Sequence, residues 1–273
     1  MKKIVLITGA SSGIGKETAI QLIKEGHIVY GAARRVDKMK DLEAAGGHAI
    51  GMDVTDDKSI TTGVQQIIDE HGHIDVLVNN AGYAIYGSVE ETSIDEARRQ
   101  FEVNIFGLAR LTQLVLPYMR ERRSGTIINI SSMGGKVYFP LGAWYHGTKH
   151  ALEGWSDSLR LELRSFGVNV VIVEPGAIKT EFGDVMIAPM IERSGKGPYG
   201  KLAKALEKGI TDAYSKPNAS SPPSVIANVI SKAIKAKKPK TRYVAGKLAK
   251  PMMFIRKYFG DRAFDKLVAS QYL

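Results

Sequence analysis

A chain of 273 residues, 44% hydrophobic and 24% charged, has the make-up of a soluble globular protein and enough length to bury a substantial core. It contains no cysteine, which excludes disulfides, thiolate catalysis and cysteine-based metal sites; its six histidines show no ligand spacing such as HExxH, so no metal site is expected. The net charge of +10 is uneven, with eleven Lys/Arg against one acid, Asp261, between Lys232 and Arg262; with no nucleic-acid signature beside it, this run reads as a solvated basic face.

The opening MKKIVLIT carries two lysines and an apolar run, but the run stops at Thr8-Gly9, far short of a secretory segment. No later stretch approaches the ~20 apolar residues that span a bilayer, and a cytoplasmic protein is expected. Residues 3–8 read as a buried strand and 13–25 as a helix with apolar positions at Ile14, Ala19, Leu22 and Ile23. Strands follow at 27–33 and 48–52, a helix at 59–70, a strand at 75–79 and a long helix over 94–120. Residues 125–131 and 168–173 are further strands, separated by a helix carrying Tyr145. This alternation predicts βαβ units: an α/β protein with a mostly parallel, doubly wound sheet and helices on both faces. Glycines and prolines break residues 180–223 into short pieces, the pattern of a functional lid. A helix at 224–236, an edge strand at 241–245 and a final helical segment from Pro251 complete one domain over 1–273: a core to 180, the lid over 180–223, and a C-terminal part over 224–273.

Chemistry is concentrated in two places. The first strand runs into TGASSGIG, residues 8–15, whose glycines Gly9, Gly13 and Gly15 allow a tight turn and close backbone approach to a pyrophosphate at a helix N-terminus. Tyr145 and Lys149 stand at i and i+4 on one helix face. A lysine ammonium beside a phenol favours the phenolate, so Lys149 is expected to lower the Tyr145 pKa and fit it for proton exchange.

In these motifs the chain resembles the short-chain dehydrogenase/reductase family, and its hydroxysteroid and retinol dehydrogenase-like branch more than the acyl-carrier-protein reductases. TGASSGIG, Asn79-Asn80-Ala81-Gly82, Asn104 in VNIFG, Ser131-Ser132, Tyr145-x-x-x-Lys149 and Pro175-Gly176-x-Ile178-x-Thr180 occur in the family's order through Phe182. The one departure, Gly147-Thr148 where Ala-Ser is common, leaves the chemistry unaltered. The resemblance implies a single-domain Rossmann-type fold and hydride transfer between a nicotinamide and a carbonyl or alcohol. It makes Tyr145 the general acid/base and Lys149 the partner that also holds the nicotinamide ribose. Its spacing selects Ser132, thirteen residues before Tyr145, to bond the substrate oxygen, and gives Asn104 a water that feeds protons to Lys149. Cofactor contacts are implied for Gly9, Ser11, Ser12, Gly13, Ile14, Gly15, Asp53, Val54, Asn79, Ala81, Gly82, Pro175, Gly176, Ile178 and Thr180.

At the end of the second strand an NAD enzyme of this type would carry an acid, but the chain reads Ala32-Ala33-Arg34-Arg35. Guanidinium groups suit a 2′-phosphate, so Arg34, assisted by Arg35, favours NADP(H), with NAD(H) the alternative through Asp37. Tyr83, Ile85, Met133, Val137, Phe139 and Leu141 are candidates to line an apolar substrate pocket, closed by Phe182, Met186, Ile187, Met190 and Ile191 from the lid. A hydrophobic carbonyl or alcohol follows as substrate. The competing readings are an NADP-binding regulator with little turnover and a sugar-nucleotide epimerase or dehydratase, which shares Tyr-x-x-x-Lys. The resemblance further implies a homodimer or homotetramer, paired through the helices of Asn104 and Tyr145. The apolar residues after Pro251, among them Met252, Ile255 and Phe259, are expected to be covered by protein in preference to lipid.

Overall fold

The computed structural model describes residues 2–272, the side chain of Asp184 apart. Among the described residues, seven strands form one sheet in the order β3-β2-β1-β4-β5-β6-β7. They are β1 (Ile4–Thr8), β2 (Ile28–Ala33), β3 (His48–Gly51), β4 (Val76–Asn79), β5 (Gly125–Ile130), β6 (Val168–Pro175) and β7 (Arg242–Ala245). Every neighbouring pair is parallel, including the edge strand β7 against β6. β1 is buried along its whole length because helices cover both faces: Val5 and Ile7 enter one core, Ile4 and Leu6 the other.

The first core packs against α1 (Gly13–Lys24), the short α2 (Lys40–Ala44) and α9 (Ser224–Lys235). The second packs against α3 (Asp57–His71), α5 (Leu108–Glu121) and α6 (Ala143–Glu162). Strand order reverses between β1 and β4, and the crevice beyond their carboxyl ends is where a parallel sheet of this kind offers a binding site.

Three regions differ from the sequence expectation. The long helix over 94–120 is α4 (Ile94–Phe101) and α5, joined by a π-helical stretch at Glu102–Gly107. The extra residue per turn lets Gly107 lie against the Val54 carbonyl, where a Cβ would collide, and turns Asn104 inward. Residues 180–223 are not short pieces: they form α7 (Phe182–Ser194) and α8 (Gly200–Ser215). The two helices bury Met190, Ala203 and Leu206 between them, and that packing outweighs the Pro189 inside α7. The last helix, α10 (Ala249–Tyr272), turns sharply at Gly260, whose φ of 75° favours glycine.

Candidate active site

A cavity of about 970 Å³ opens over the carboxyl ends of β1, β4, β5 and β6 and runs from the α1 N-terminus to α7, α8 and α10. At one end it is walled by backbone. Gly9, Ser11, Ser12, Gly13 and Ile14 line it, with Gly9 and Gly13 at φ of 69° and 55°. Gly15 stands behind them, where a Cβ would meet the Gly9 carbonyl oxygen. The first turn of α1 contains no acid and the Ser12 side chain makes no capping bond, so the free N–H groups and dipole of that helix end face the cavity uncompensated.

The turn is held by its neighbour. The Asn80 amide donates to the Thr8 carbonyl at 2.9 Å, and the backbone N–H groups of Asn80 and Ala81 both donate to Thr8 Oγ1 at 3.0 Å. Asn79, expected among the cofactor contacts, turns the other way because successive strand residues face opposite sides. Its amide donates to Asn129 Oδ1 at 2.9 Å and Thr112 Oγ1 at 3.2 Å within the core, and Asn80 takes its place in the cavity wall.

Beyond β2, Arg34 and Arg35 are exposed along the cavity rim, and Arg35 lies 3.7 Å from Glu181. Arg99, from α4, joins them and was not singled out in the sequence, where it looks like any surface arginine on an amphipathic helix. Asp53 and Val54 also line this end. Burial works against the Asp53 charge, but hydrogen bonds from Thr55, at 3.0 Å from N and 2.8 Å from Oγ1, and the fields of Arg34 and Arg99 bring its pKa below the usual value.

At the middle of the cavity Tyr145, Ser132 and Lys149 converge. Burial pushes the Tyr145 phenol up to about 12, while a hydrogen bond from Ser132 acts in the opposite sense. Lys149 reaches within 6.0 Å of the Tyr145 ring centroid and donates to the Ile130 carbonyl at 2.9 Å. Burial brings the Lys149 ammonium down to about 8, with Glu153 pulling the other way. The expected lowering of Tyr145 by Lys149 is therefore not what this structure shows, because desolvation of the buried phenol dominates. Ser132 Oγ also accepts from Gly134 N–H at 3.0 Å, whereas Ser131 Oγ is buried without a hydrogen-bond partner.

Asn104 does not reach the cavity. Its Oδ1 accepts from Tyr83 N–H at 3.2 Å, and its amide donates to the Tyr83 carbonyl and to Thr148 Oγ1, each at 3.0 Å. It ties the segment after β4 to α6, within reach of Lys149 across Gly82, whose added Cβ would lie 3.2 Å from Asn104 Oδ1 and 3.9 Å from Lys149 Nζ. His146, beside the tyrosine, is another residue the sequence did not reveal. Its Nε2 accepts from Phe139 N–H at 3.0 Å and its Nδ1 lies 3.1 Å from the Gly134 carbonyl, pinning the 134–139 loop; burial holds it neutral, with a pKa of about 4.

The far end of the cavity is made of side chains. Tyr83, Ile85, Met133, Phe139, Phe182 and Met186 line it as expected, with the Phe182 ring 5.8 Å from that of Tyr145. Val137 and Leu141 do not line it: Val137 packs on Met252 and Phe264, and Leu141 belongs to the cluster beneath α7 and α8. Ile187, Met190 and Ile191 likewise face away from it, because only one side of α7 meets the cavity. Leu206, Ile210 and Tyr214 of α8, with Leu248 before α10 and Met252 and Tyr272 on it, complete the wall. Arg193 anchors α7 by donating to the Tyr86 carbonyl at 2.6 Å and pairing with Glu96. Pro175, the last residue of β6, and Gly176, Ile178 and Thr180 after it form the cavity edge.

The chain has relatives among known proteins. The family model described as short chain dehydrogenase matches residues 3–188. A 3-ketodihydrosphingosine reductase of Bacteroides thetaiotaomicron is 45% identical over 186 residues, covering 67% of this chain and 66% of that protein, just under two thirds of its length. An uncharacterized oxidoreductase of Bacillus subtilis, YusZ, is 33% identical over 280 residues, with 98% of this chain and 97% of that one covered. Among solved structures, a short-chain dehydrogenase from Streptomyces avermitilis superposes with a TM-score of 0.79 at 37% identity, covering 99% of this chain and 95% of the other. A serine dehydrogenase complexed with NADP+ gives 0.77 at 26% identity, covering 90% and 95%. With the family model spanning more than half of the residues and the parallel sheet carrying the Tyr-Lys helix beside its crevice, the chain belongs to the short-chain dehydrogenase family of oxidoreductases.

Proposed function

We propose that the protein is an NADP(H)-dependent oxidoreductase acting on a hydrophobic carbonyl or alcohol, with Tyr145 as its general acid/base. The observation that carries this reading is a single cavity with a backbone-lined, arginine-rimmed end and an apolar end, and with the Tyr145 and Ser132 hydroxyls hydrogen-bonded between them. The residues present fit a dinucleotide: the glycine turn and the open α1 N-terminus suit a pyrophosphate, and Arg34, Arg35 and Arg99 suit a 2′-phosphate. NAD(H) would meet the same turn but would leave these guanidiniums without the phosphate.

The nicotinamide, when bound, supplies the hydride. Ser132 orients the substrate oxygen through its hydroxyl. Tyr145, which keeps its proton at neutral pH, donates that proton to the oxygen as charge develops there; in the alcohol-to-carbonyl direction its phenolate form accepts the alcohol's proton. Lys149, mostly protonated at pH 7, places a positive charge close to the phenol and stabilises the phenolate left behind. Asn104 holds the Tyr83 segment against α6, and the helices α7 and α8 act as a lid that excludes water.

The reductase from Bacteroides, whose named substrate is a long-chain ketone, supports an alkyl ketone among the candidates. A homodimer or homotetramer belongs to the same proposal, with Phe106 and Leu161 exposed at 55% and 62% near the helices expected to pair. The test is a screen of alkyl ketones and aldehydes, following loss of reduced nicotinamide with NADPH and NADH at matched concentration. Turnover with NADPH is expected; turnover with NADH alone would overturn the cofactor assignment, and silence toward every carbonyl would overturn the activity.

A further inference from the structure

The sequence reading has the apolar residues after Pro251 covered by protein, and the structure divides them. Met252 is buried against Val137, but Phe254, Tyr258 and Phe259 are 54%, 64% and 64% exposed. They contact one another: the Phe254 and Tyr258 ring centroids are 4.7 Å apart, and those of Phe254 and Phe259 6.3 Å. The division follows the helix faces before Gly260, with Met252 on the side that meets Val137 and positions 254 and 258 on another; beyond the turn at Gly260, Phe264 and Val268 are buried again.

Exposed basic groups flank the rings along the chain. Lys247, Lys250, Lys257 and Arg262 are all exposed, and positions 250, 254, 257 and 258 recur at helical spacing on one face. Lys257 Nζ lies 5.1 Å from the Tyr258 centroid. The nearby acids are engaged: Asp261 pairs with Arg256, and Asp265 accepts from the Tyr138 hydroxyl at 2.8 Å. Leu248, 50% exposed, and Met252 also line the cavity, so the patch borders its mouth.

We propose that this surface docks on an anionic lipid bilayer. The three rings enter the boundary between headgroups and acyl chains, Lys247, Lys250, Lys257 and Arg262 meet lipid phosphates, and the mouth beside Leu248 opens toward the membrane. Aromatic side chains flanked by lysines are the composition of an interfacial helix, and each basic group near an anionic leaflet adds to binding. A second copy is the poorer occupant, since a two-fold contact here would bring the same basic groups together. No helix among the described residues is long and apolar enough to cross a membrane, so the attachment lies in the interface and does not span it. Delivery of substrate from the bilayer rests on the hydrophobic substrate proposed above; the docking itself does not.

The test is co-sedimentation of the full chain with vesicles of phosphatidylglycerol or of phosphatidylcholine, at low and high salt. Two variants are compared: Phe254→Ser with Tyr258→Ser and Phe259→Ser, and Lys250→Glu with Lys257→Glu. Binding to phosphatidylglycerol at low salt is expected, with loss at high salt and on phosphatidylcholine. Each variant should bind at least about tenfold more weakly, with mass in solution and reduction of a small soluble ketone unchanged. Absence of wild-type binding overturns the lipid assignment and leaves the patch to an acidic protein. Undiminished binding of the aromatic variant overturns the insertion, and a smaller assembly in that variant makes the patch a contact between copies. Because binding is read without substrate, vesicle attachment by a protein that reduces no carbonyl sinks the proposed activity alone. A reductase that ignores vesicles sinks the docking alone.

Discussion

The two ends of the cavity are built from different material. The dinucleotide-type end is mostly backbone: glycines at positive φ, an open helix terminus and Asn80 tying one loop to the next. The apolar end is mostly side chains, contributed by the loops after β4 and β5 and by α7, α8 and α10. A wall made of backbone tolerates little change but announces its ligand, since only a few ligands need a bare N–H cradle. An apolar wall accepts many shapes and sets selectivity through volume, which a motif does not encode.

That contrast is sharpest at the group standing between the two ends. Tyr145→Phe removes the proton donor and keeps the ring in place, so turnover should fall about 10²–10⁴-fold while NADPH affinity, read by fluorescence titration, stays near wild type. A variant that loses both would mean the two ends are not separable at this residue.

At the substrate end, Met190 and Met186 separate packing from contact. Met190 is fully buried between α7 and α8, so Met190→Ala should cost about 2–5 kcal/mol in denaturant unfolding. Met186 lines the cavity, so Met186→Ala should change KM among ketones of different chain length with a smaller effect on stability. Equal stability losses would show that the wall and the packing layer are one unit.

At the opposite end, Arg34→Ala should weaken NADPH by about 10–100-fold, the range of a charge-assisted bond, and leave NADH nearly unchanged. Equal weakening of both would place Arg34 on a part the two cofactors share.

The smallest effect is expected beneath both walls. Glu174, fully buried on β6, faces Glu153, which is itself paired with Lys136 at 2.9 Å and Arg242 at 3.0 Å. Burial, then the Glu153 charge, raises the Glu174 carboxyl to about 7 from an ordinary 4.5. A folded-state value above the unfolded one means a stabilising contribution that is full below about 4.5 and is lost as pH rises through 7. Glu174→Gln should therefore flatten the pH dependence of unfolding between those values and leave the variant about 1–3 kcal/mol less penalised at pH 8. An unchanged profile would show that Glu174 stays charged, held by Arg242 at 3.6 Å.

Much of the dinucleotide-type end was legible in the chain because local rules produce it. A strand, a glycine turn and a helix start within residues 4–15 need no distant partner to take their shape. Asn79 shows the limit: its motif identifies the loop, but strand alternation turns its side chain into the core and gives the cavity to Asn80. Arg99 and His146 carry no local signal, since each acquires its place only when α4 or the 134–139 loop folds against another element.

The amino-acid order alone determined the alternation of strands and helices, the glycine turn, the basic residues after β2 and the pairing of Tyr145 with Lys149 on one helical face, all of which depend on contacts a few residues apart. Tertiary structure decided the rest. It made two packed helices of the glycine- and proline-marked region over 182–215, because burial of Met190, Ala203 and Leu206 outweighs local breaking tendency. It pushed Tyr145 up and Lys149 down, because desolvation depends on everything that surrounds a group and not on its neighbour in sequence. At α10 it buried Met252 and left Phe254, Tyr258 and Phe259 in the open, a division set by which face of the helix meets the body of the protein.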